Sequence, residues 1–329
     1  MEKVLISGGA GFIGYHLTAR LLSKGYKIHL LDNYFRGVND RLLQELLNDK
    51  HVQLINADLL HGDIFDQLEN NYTYIYHLAA VVGVQHVQKA PYSVLVKNVE
   101  LSKNALAIAA IQNNLKRFIF TSTSEVYAGT LKNFGLDFPT PETTPLSVTG
   151  LQDNRTSYML SKIYGEAMCL HSGVPVTIVR PHNFYGPRMG MSHVIPELLK
   201  KVYESEDGSL DVYSVDHKRT FCFINDAVEI MIMLAENSEA VGQSFNVGNQ
   251  NDEITMVDLA KMIFEVVGKN IRINPLSATA GSVERRCPDM TKTQNLIGYQ
   301  PKYTLREGLN RTFDWYRNNI FNREEICAI

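Results

Sequence analysis

Tyr158 and Lys162 stand four residues apart in a stretch, Ser157 to Leu170, whose pattern predicts a helix ending before Gly173. The phenol and the ammonium therefore share one helix face. A free phenol is a poor base at neutral pH because its pKa is about 10. A cation beside it favours the phenolate, which can then take a proton from an alcohol. Such a pair is common by chance, and a solvated surface contact also explains it. It gains meaning from the run Thr121-Ser122-Thr123-Ser124-Glu125-Val126-Tyr127, which follows an apolar stretch. Hydroxyls and a carboxylate placed just beyond a buried strand lie where open parallel sheets hold their ligands.

The elements that must position these groups are legible. Val4–Ser7, Ile28–Leu31, Val52–Ile55, Ile75–Leu78, Phe118–Thr121 and Val176–Val179 are short runs rich in Val, Ile and Leu. Helical stretches separate them, including one that begins near Pro91 and continues through Ala110. This alternation predicts an α/β fold with a doubly wound parallel sheet of Rossmann type covered on both faces. After Arg180 the alternation weakens. Val194–Tyr203, Thr255–Val267 and Leu305–Tyr316 read as helices, and Leu210–Tyr213, Arg219–Ile224 and Ser244–Val247 as strands. No Ser/Gly-rich linker intervenes. The expected division is residues 1–182 as a dinucleotide domain, with return segments near 219–249, and 183–329 as a smaller mixed α/β substrate domain.

The first strand runs into Gly8-Gly9-Ala10-Gly11-Phe12-Ile13-Gly14, and a helix follows. Glycines at 8, 11 and 14 let the backbone turn tightly and approach a pyrophosphate seated on the helix N-terminus, flanked by Phe12 and Ile13. Asp32, with Asn33 beside it, ends the next strand, where a carboxylate accepts from a ribose 2′-hydroxyl and repels a 2′-phosphate. That selects NAD over NADP, although Arg36 nearby works the other way. Asp58 and Leu59 follow the third strand at the expected adenine edge. Leu78, Ala79 and Ala80 end the fourth, where small side chains let a cofactor lie close.

Composition narrows the class. The chain has 329 residues, a formal net charge of −3 and 20% charged residues, without the clustered basic face of a nucleic-acid binder. No apolar run is long enough for a bilayer, and no histidine spacing suggests a metal. Cys169, Cys222, Cys287 and Cys327 form no C-x-x-C pair, and no export signal precedes them, so reduced thiols in the cytoplasm are expected.

Together, the glycine loop, His77-Leu78-Ala79-Ala80, Ser122-Thr123-Ser124-Glu125-Val126-Tyr127 and Tyr158/Lys162 resemble the extended short-chain dehydrogenase/reductases that modify nucleotide sugars, the epimerase/dehydratase family. Arg180-Pro181-His182-Asn183-Phe184-Tyr185-Gly186-Pro187 is similar to the family's R-x-x-N-x-Y-G-P. Arg219-Thr220-Phe221 with Asn225-Asp226-Ala227 is similar to its R-x-F-x-x-x-x-D-A. Phe245-Asn246-Val247-Gly248 and Arg286-Cys287-Pro288-Asp289 are further landmarks. The resemblance implies bound NAD, a nucleotide-diphosphate sugar as substrate and a homodimer built on the helices near 91–112 and 157–171. It implies that Thr123 bonds the sugar 4-oxygen, Tyr158 is the base and Lys162 holds the nicotinamide ribose. By the same resemblance Asn98 organises the active-site helix. Ser124, Asn183, Arg188, Arg219 and Arg285 meet substrate, the last two at its diphosphate.

The chain departs from the family's pattern at Ala128, where a glycine is usual, and in the segment of about 30 residues between Tyr127 and Tyr158, which predicts an enlarged loop over the site. Ser124-Glu125 matters more. The resemblance implies oxidation at sugar C4, after which a carboxylate can serve C5 or C6 chemistry. This favours a dehydratase or a decarboxylase assisted by Glu125. A 4-epimerase and a net 4-dehydrogenase are the alternatives within the family. A dinucleotide-sensing regulator is the alternative outside catalysis, and the presence of both Tyr158 and Lys162 counts against it.

Overall fold

The computed structural model describes residues 1–62, 64–206, 208–278 and 283–322. Its centre is a seven-stranded sheet. The first six strands in chain order are β1 (Lys3–Ser7), β2 (Lys27–Asp32), β3 (Val52–Asn56), β4 (Tyr74–His77), β5 (Arg117–Thr121) and β6 (Val176–Pro181). They lie in the spatial order β6-β5-β4-β1-β2-β3, and Gln243–Val247 adds the seventh strand beside β6. Every pairing in this sheet is parallel. The order reverses between β1 and β4, which opens a crevice beyond the strand ends.

The period-two alternation of each strand divides the core into two. Val4, Ile6, Ile28, Leu30, Ile119 and Val179 face one side. There they meet Leu17 and Leu21 of helix Phe12–Ser23 and Ile230, Met231 and Leu234 of helix Ile224–Glu236. Leu5, Leu31, Ile75, Phe118, Phe120 and Ile178 face the other side, against Leu101, Ala105 and Ile108 of helix Pro91–Ala110. The first cluster continues without interruption into the C-terminal segment through Leu259, Leu309 and Phe313.

The C-terminal segment forms small sheets. Ser209–Tyr213 pairs in parallel with Arg272–Leu276, and Lys218–Arg219 lies between Ile254–Thr255 and Arg285–Arg286. The stretch 219–224, expected as one strand, instead contains Lys218–Arg219, Cys222–Phe223 and the start of a helix at Ile224. That helix buries nine residues and packs on helix Phe12–Ser23, β5 and β6. Thr255 and Thr304 cap the helices Met256–Val267 and Leu305–Tyr316, the latter through a reciprocal capping box with Glu307. Among the described residues no helix is long and apolar enough to cross a membrane. Cys169, Cys222 and Cys287 are free and buried; Cys327 lies outside the described residues.

Candidate active site

The crevice begins at the glycine loop. Gly8 has φ 75°, and a Cβ there would lie 2.8 Å from the Ala79 nitrogen. A Cβ on Gly14 would lie 2.5 Å from the Gly8 carbonyl oxygen. Only glycine allows the loop to fold this tightly against β4 and the following helix. No side chain caps the N-terminus of that helix at Gly11, so its first-turn amides remain available to an anion. Asp32 is buried, which raises its pKa, and its two oxygens accept from the amides of Ala10 at 3.0 Å and Tyr34 at 2.8 Å. Asn33 donates to Asp58 at 2.9 Å, joining the loops after β2 and β3. Leu59 is buried in the core below, and its carbonyl accepts from Asn104. Leu78 extends the pairing of β4 with β1 by donating to Ser7. These residues fit a dinucleotide laid across the loop.

The reacting end lies beyond β5. Thr123 caps a short turn, Ser124–Tyr127, and its hydroxyl accepts from the Glu125 amide. Tyr158 projects from helix Asn154–His171 on the side of Thr123, whose hydroxyl acts on its phenol. Burial raises the Tyr158 pKa above the usual tyrosine range, and the charge of Glu125 adds to it. The Thr123 hydroxyl and the charge of Arg36 act in the opposite direction. Lys162 is buried, with Nζ 6.0 Å from the Tyr158 ring centroid and donating to the Thr121 carbonyl at 2.7 Å. Burial pushes its pKa down to about 8. Asn98 fixes the Val81 backbone at both N–H (2.7 Å) and C=O (3.0 Å) and reaches Ser161 on the active-site helix at 3.3 Å.

Glu125 pairs with Arg286. Burial alone would raise its pKa, but Arg286, Arg155 and Arg219 together hold it below the ordinary carboxylate range. The pairing of strands explains the cluster. Arg286 lies opposite Arg219 and Arg285 opposite Lys218, so adjacent arginines point to opposite faces. Arg285, expected at the diphosphate, instead makes a bidentate pair with Glu253 at 2.7 and 3.0 Å, its guanidinium 4.9 Å from the Phe138 ring centroid. Arg188, expected at substrate, is buried beside the glycine loop. It bonds Asp40 at 2.7 Å and the carbonyls of Ala10, Gly11 and Val38. Asn183 donates to the Thr220 carbonyl at 2.8 Å, and Ser124 is buried in the turn. The structure thus brings Thr123, Glu125, Tyr158, Lys162 and Arg219 together. It adds Arg286 and Arg155, and turns Arg285 and Arg188 elsewhere. Arg155 was signalled by its place three residues before Tyr158 on the same helix.

A model of the NAD dependent epimerase/dehydratase family matches residues 4–248. The chain belongs to this family. UDP-glucuronic acid decarboxylase 4 of Arabidopsis thaliana is 32% identical to it over 329 residues, spanning 98% of this chain and 70% of that protein. UDP-N-acetyl-alpha-D-glucosaminuronate decarboxylase of Bacillus cytotoxicus is 30% identical, spanning 96% and 98%. Among solved structures, UDP-glucuronic acid 4-epimerase of Bacillus cereus with UDP-glucuronic acid and NAD superposes with a TM-score of 0.81 at 26% identity, covering 96% of this chain and 99% of that one. The protein is an NAD-dependent enzyme of nucleotide-sugar modification whose chemistry passes through a 4-keto sugar.

Proposed function

We propose that the protein decarboxylates a nucleoside-diphosphate uronic acid, removing C6 as carbon dioxide after oxidation at C4. The observation that carries this reading is the cluster of Arg155, Arg219 and Arg286 around Glu125, within reach of the Thr123–Tyr158 pair. Arg219 and Arg286 beside one carboxylate leave positive charge for further anions, and a uronate supplies a carboxylate besides its diphosphate. The sugars named in the two relatives above are both uronic acids.

Bound NAD would supply reversible hydride exchange at C4. Tyr158 takes the proton of the C4 hydroxyl and later returns it, while Thr123 orients the same oxygen. With C4 a ketone, the C5–C6 bond breaks, its electron pair enters the C4–C5 enolate, and carbon dioxide departs. Protonated Tyr158 and Thr123 stabilise that enolate at its oxygen, and C5 then takes a proton. Arg286 orients the carboxylate. Glu125 holds Arg286, and its own negative charge favours conversion of the neighbouring carboxylate into a neutral gas. Lys162, Asn98, Asp32, Asn33, Asp58 and the backbone at Gly11–Gly14 hold the cofactor. Arg219 and Asn183 lie on the nucleotide side, in residues 183–329.

The test is incubation with UDP-glucuronic acid and UDP-N-acetylglucosaminuronic acid, followed by mass spectrometry and carbon dioxide detection. A product lighter by carbon dioxide supports the reading. A product of unchanged mass inverted at C4 replaces it with a uronate 4-epimerase.

We also propose a cytoplasmic homodimer. Tyr92 and Val96 of helix Pro91–Ala110, and Tyr164 and Leu170 of helix Asn154–His171, are exposed apolar residues on two helices packed side by side. Paired about a two-fold axis, these helices would bury both faces. Light scattering at micromolar concentration should give twice the chain mass. The buried free thiols suit a reducing compartment.

A further inference from the structure

The loop after β2 is anchored beside the glycine loop. A Cβ on Gly37 would lie 2.7 Å from the Ala10 Cβ, and the Val38 amide donates to the Ala10 carbonyl at 3.2 Å. Arg188 bonds the Val38 carbonyl and the Asp40 carboxylate from the other side. From this base Arg36 reaches across the crevice, and its guanidinium donates to the Val82 carbonyl beyond β4. The receiving segment is fixed by Asn98, which holds Val81 at both backbone groups. Next to it the Phe35 ring meets His86 at 5.6 Å. The side chain thus bridges the loops after β2 and β4, which lie on either side of β1 and its glycine loop.

Its charge is also uncommitted. Arg180, Arg188, Arg285 and Arg286 each pair with a carboxylate. Arg36 has only a carbonyl among the described residues. Its field nevertheless reaches Tyr158 and His193. A planar guanidinium on a tethered arm suits a phosphate far better than a neutral carbonyl.

We propose that Arg36 is a clasp for the bound dinucleotide: its guanidinium exchanges the Val82 carbonyl for an oxygen of the pyrophosphate and retains the cofactor between turnovers. An enzyme that borrows and returns the same hydride gains from such retention, whichever sugar it acts on.

The test is calorimetry of NAD and NADP binding to the wild type, Arg36→Gln, Arg36→Met and Arg36→Lys, with cofactor release timed by stopped flow. Losing a charge-assisted bond of this kind should weaken NAD binding about tenfold or more in Arg36→Gln and Arg36→Met and speed its release. NADP should weaken by the same factor, because both share the pyrophosphate. Arg36→Lys should fall in between, and the wild-type advantage should shrink as salt rises. Thermal melting without cofactor should be unchanged in all three, since Arg36 is exposed. Unchanged NAD affinity in both neutral variants overturns the proposal. A loss confined to NADP also overturns it, by placing the guanidinium at a 2′-phosphate instead.

Discussion

Two glutamate–arginine pairs flank the segment that follows β5, one bonded by Ser122 and the other containing Glu125, and they have opposite characters. Glu166 and Arg180 are both nearly inaccessible, 6% exposed each in their side chains, and every group is used. Arg180 bonds Glu166 at 3.0 and 2.7 Å and Tyr127 at 2.8 Å, and Ser122 donates to Glu166 at 2.6 Å. The Tyr127 hydroxyl donates to Asn246, which ties the network to the seventh strand and, through its own amide, to the Thr140 carbonyl in the long loop. Glu125 and Arg286 are 30% and 21% exposed, and two further arginines act on Glu125. A closed, neutral, saturated pair holds strands together. An open pair with excess charge of one sign is arranged for a charged visitor. Residue types are identical in the two; what differs is whether the surrounding groups exhaust their bonding capacity.

The strongest way to sharpen this contrast is Glu125→Gln. It should lower turnover about 10–10²-fold, as for a lost bond to a charged group, while leaving unfolding free energy within about 1 kcal/mol. Substrate should still reduce the cofactor in that variant, visible in near-ultraviolet absorbance, before the reaction stalls. Tyr158→Phe should block the reduction itself. Arg180→Leu tests the other pair. It strands Glu166 in the interior and should cost about 3–5 kcal/mol of stability by urea titration. If Arg180→Leu unfolds no earlier than the wild type, the saturated pair is not structural.

The neighbouring arginines give a smaller effect that separates faces. Arg286→Ala should lower kcat/KM on a uronate at least about tenfold, as expected for a bond to a charged group. Arg285→Ala, which loses a partly exposed pair with Glu253, should change it less than about fivefold. Equal losses would break the assignment of faces. The sequence places Arg285 and Arg286 next to each other with nothing to rank them. A strand of two residues has no alternation of its own to reveal which side faces the site, and a slip of one residue exchanges the two. Only the partner strand, with Arg219 opposite Arg286, decides it.

Other parts were legible because local signals were redundant. The six predicted strands end within two residues of those in the structure, since short buried apolar runs between helices permit few alternatives. The glycine loop and the Tyr158/Lys162 pair stand out by spacing, because chemistry fixes both their types and their separations, whereas the role of Thr123 is implied by the family resemblance. Helix Ile224–Glu236 was obscured because its first residues follow a β-like run, Arg219 to Phe223, and its apolar residues extend around most of its circumference. Arg188 was obscured because an arginine after Gly-Pro carries no hint of the carbonyls of Ala10 and Gly11, nearly 180 residues earlier in the chain.

The smallest expected effect concerns Lys162, whose pKa is pushed down to about 8 by burial. Above that value the folded protein has released a proton that the unfolded chain still keeps, up to its own pKa of about 10.4. Stability of the cofactor-free protein due to this group therefore rises as pH increases from about 8 to 10. Subtracting the profile of Lys162→Met isolates it from Cys169, whose burial-raised pKa works in the opposite direction. A flat difference would place Lys162 in contact with water.

The segment between Tyr127 and Tyr158 leaves the turn Ser124–Tyr127 and returns to it, because helix Asn154–His171 packs against that same turn. For a chain so pinned, the entropy of closing the excursion grows only as the logarithm of its length, about 0.6 kcal/mol for each doubling. Insertions there are thermodynamically cheap, and they leave the cofactor cradle and the base untouched. The segment's helix Ala128–Phe134 and its bonds between Thr140 and Cys287 and between Glu142 and Asn246 fix the parts nearest the sheet, so added length goes to the outer part of the loop.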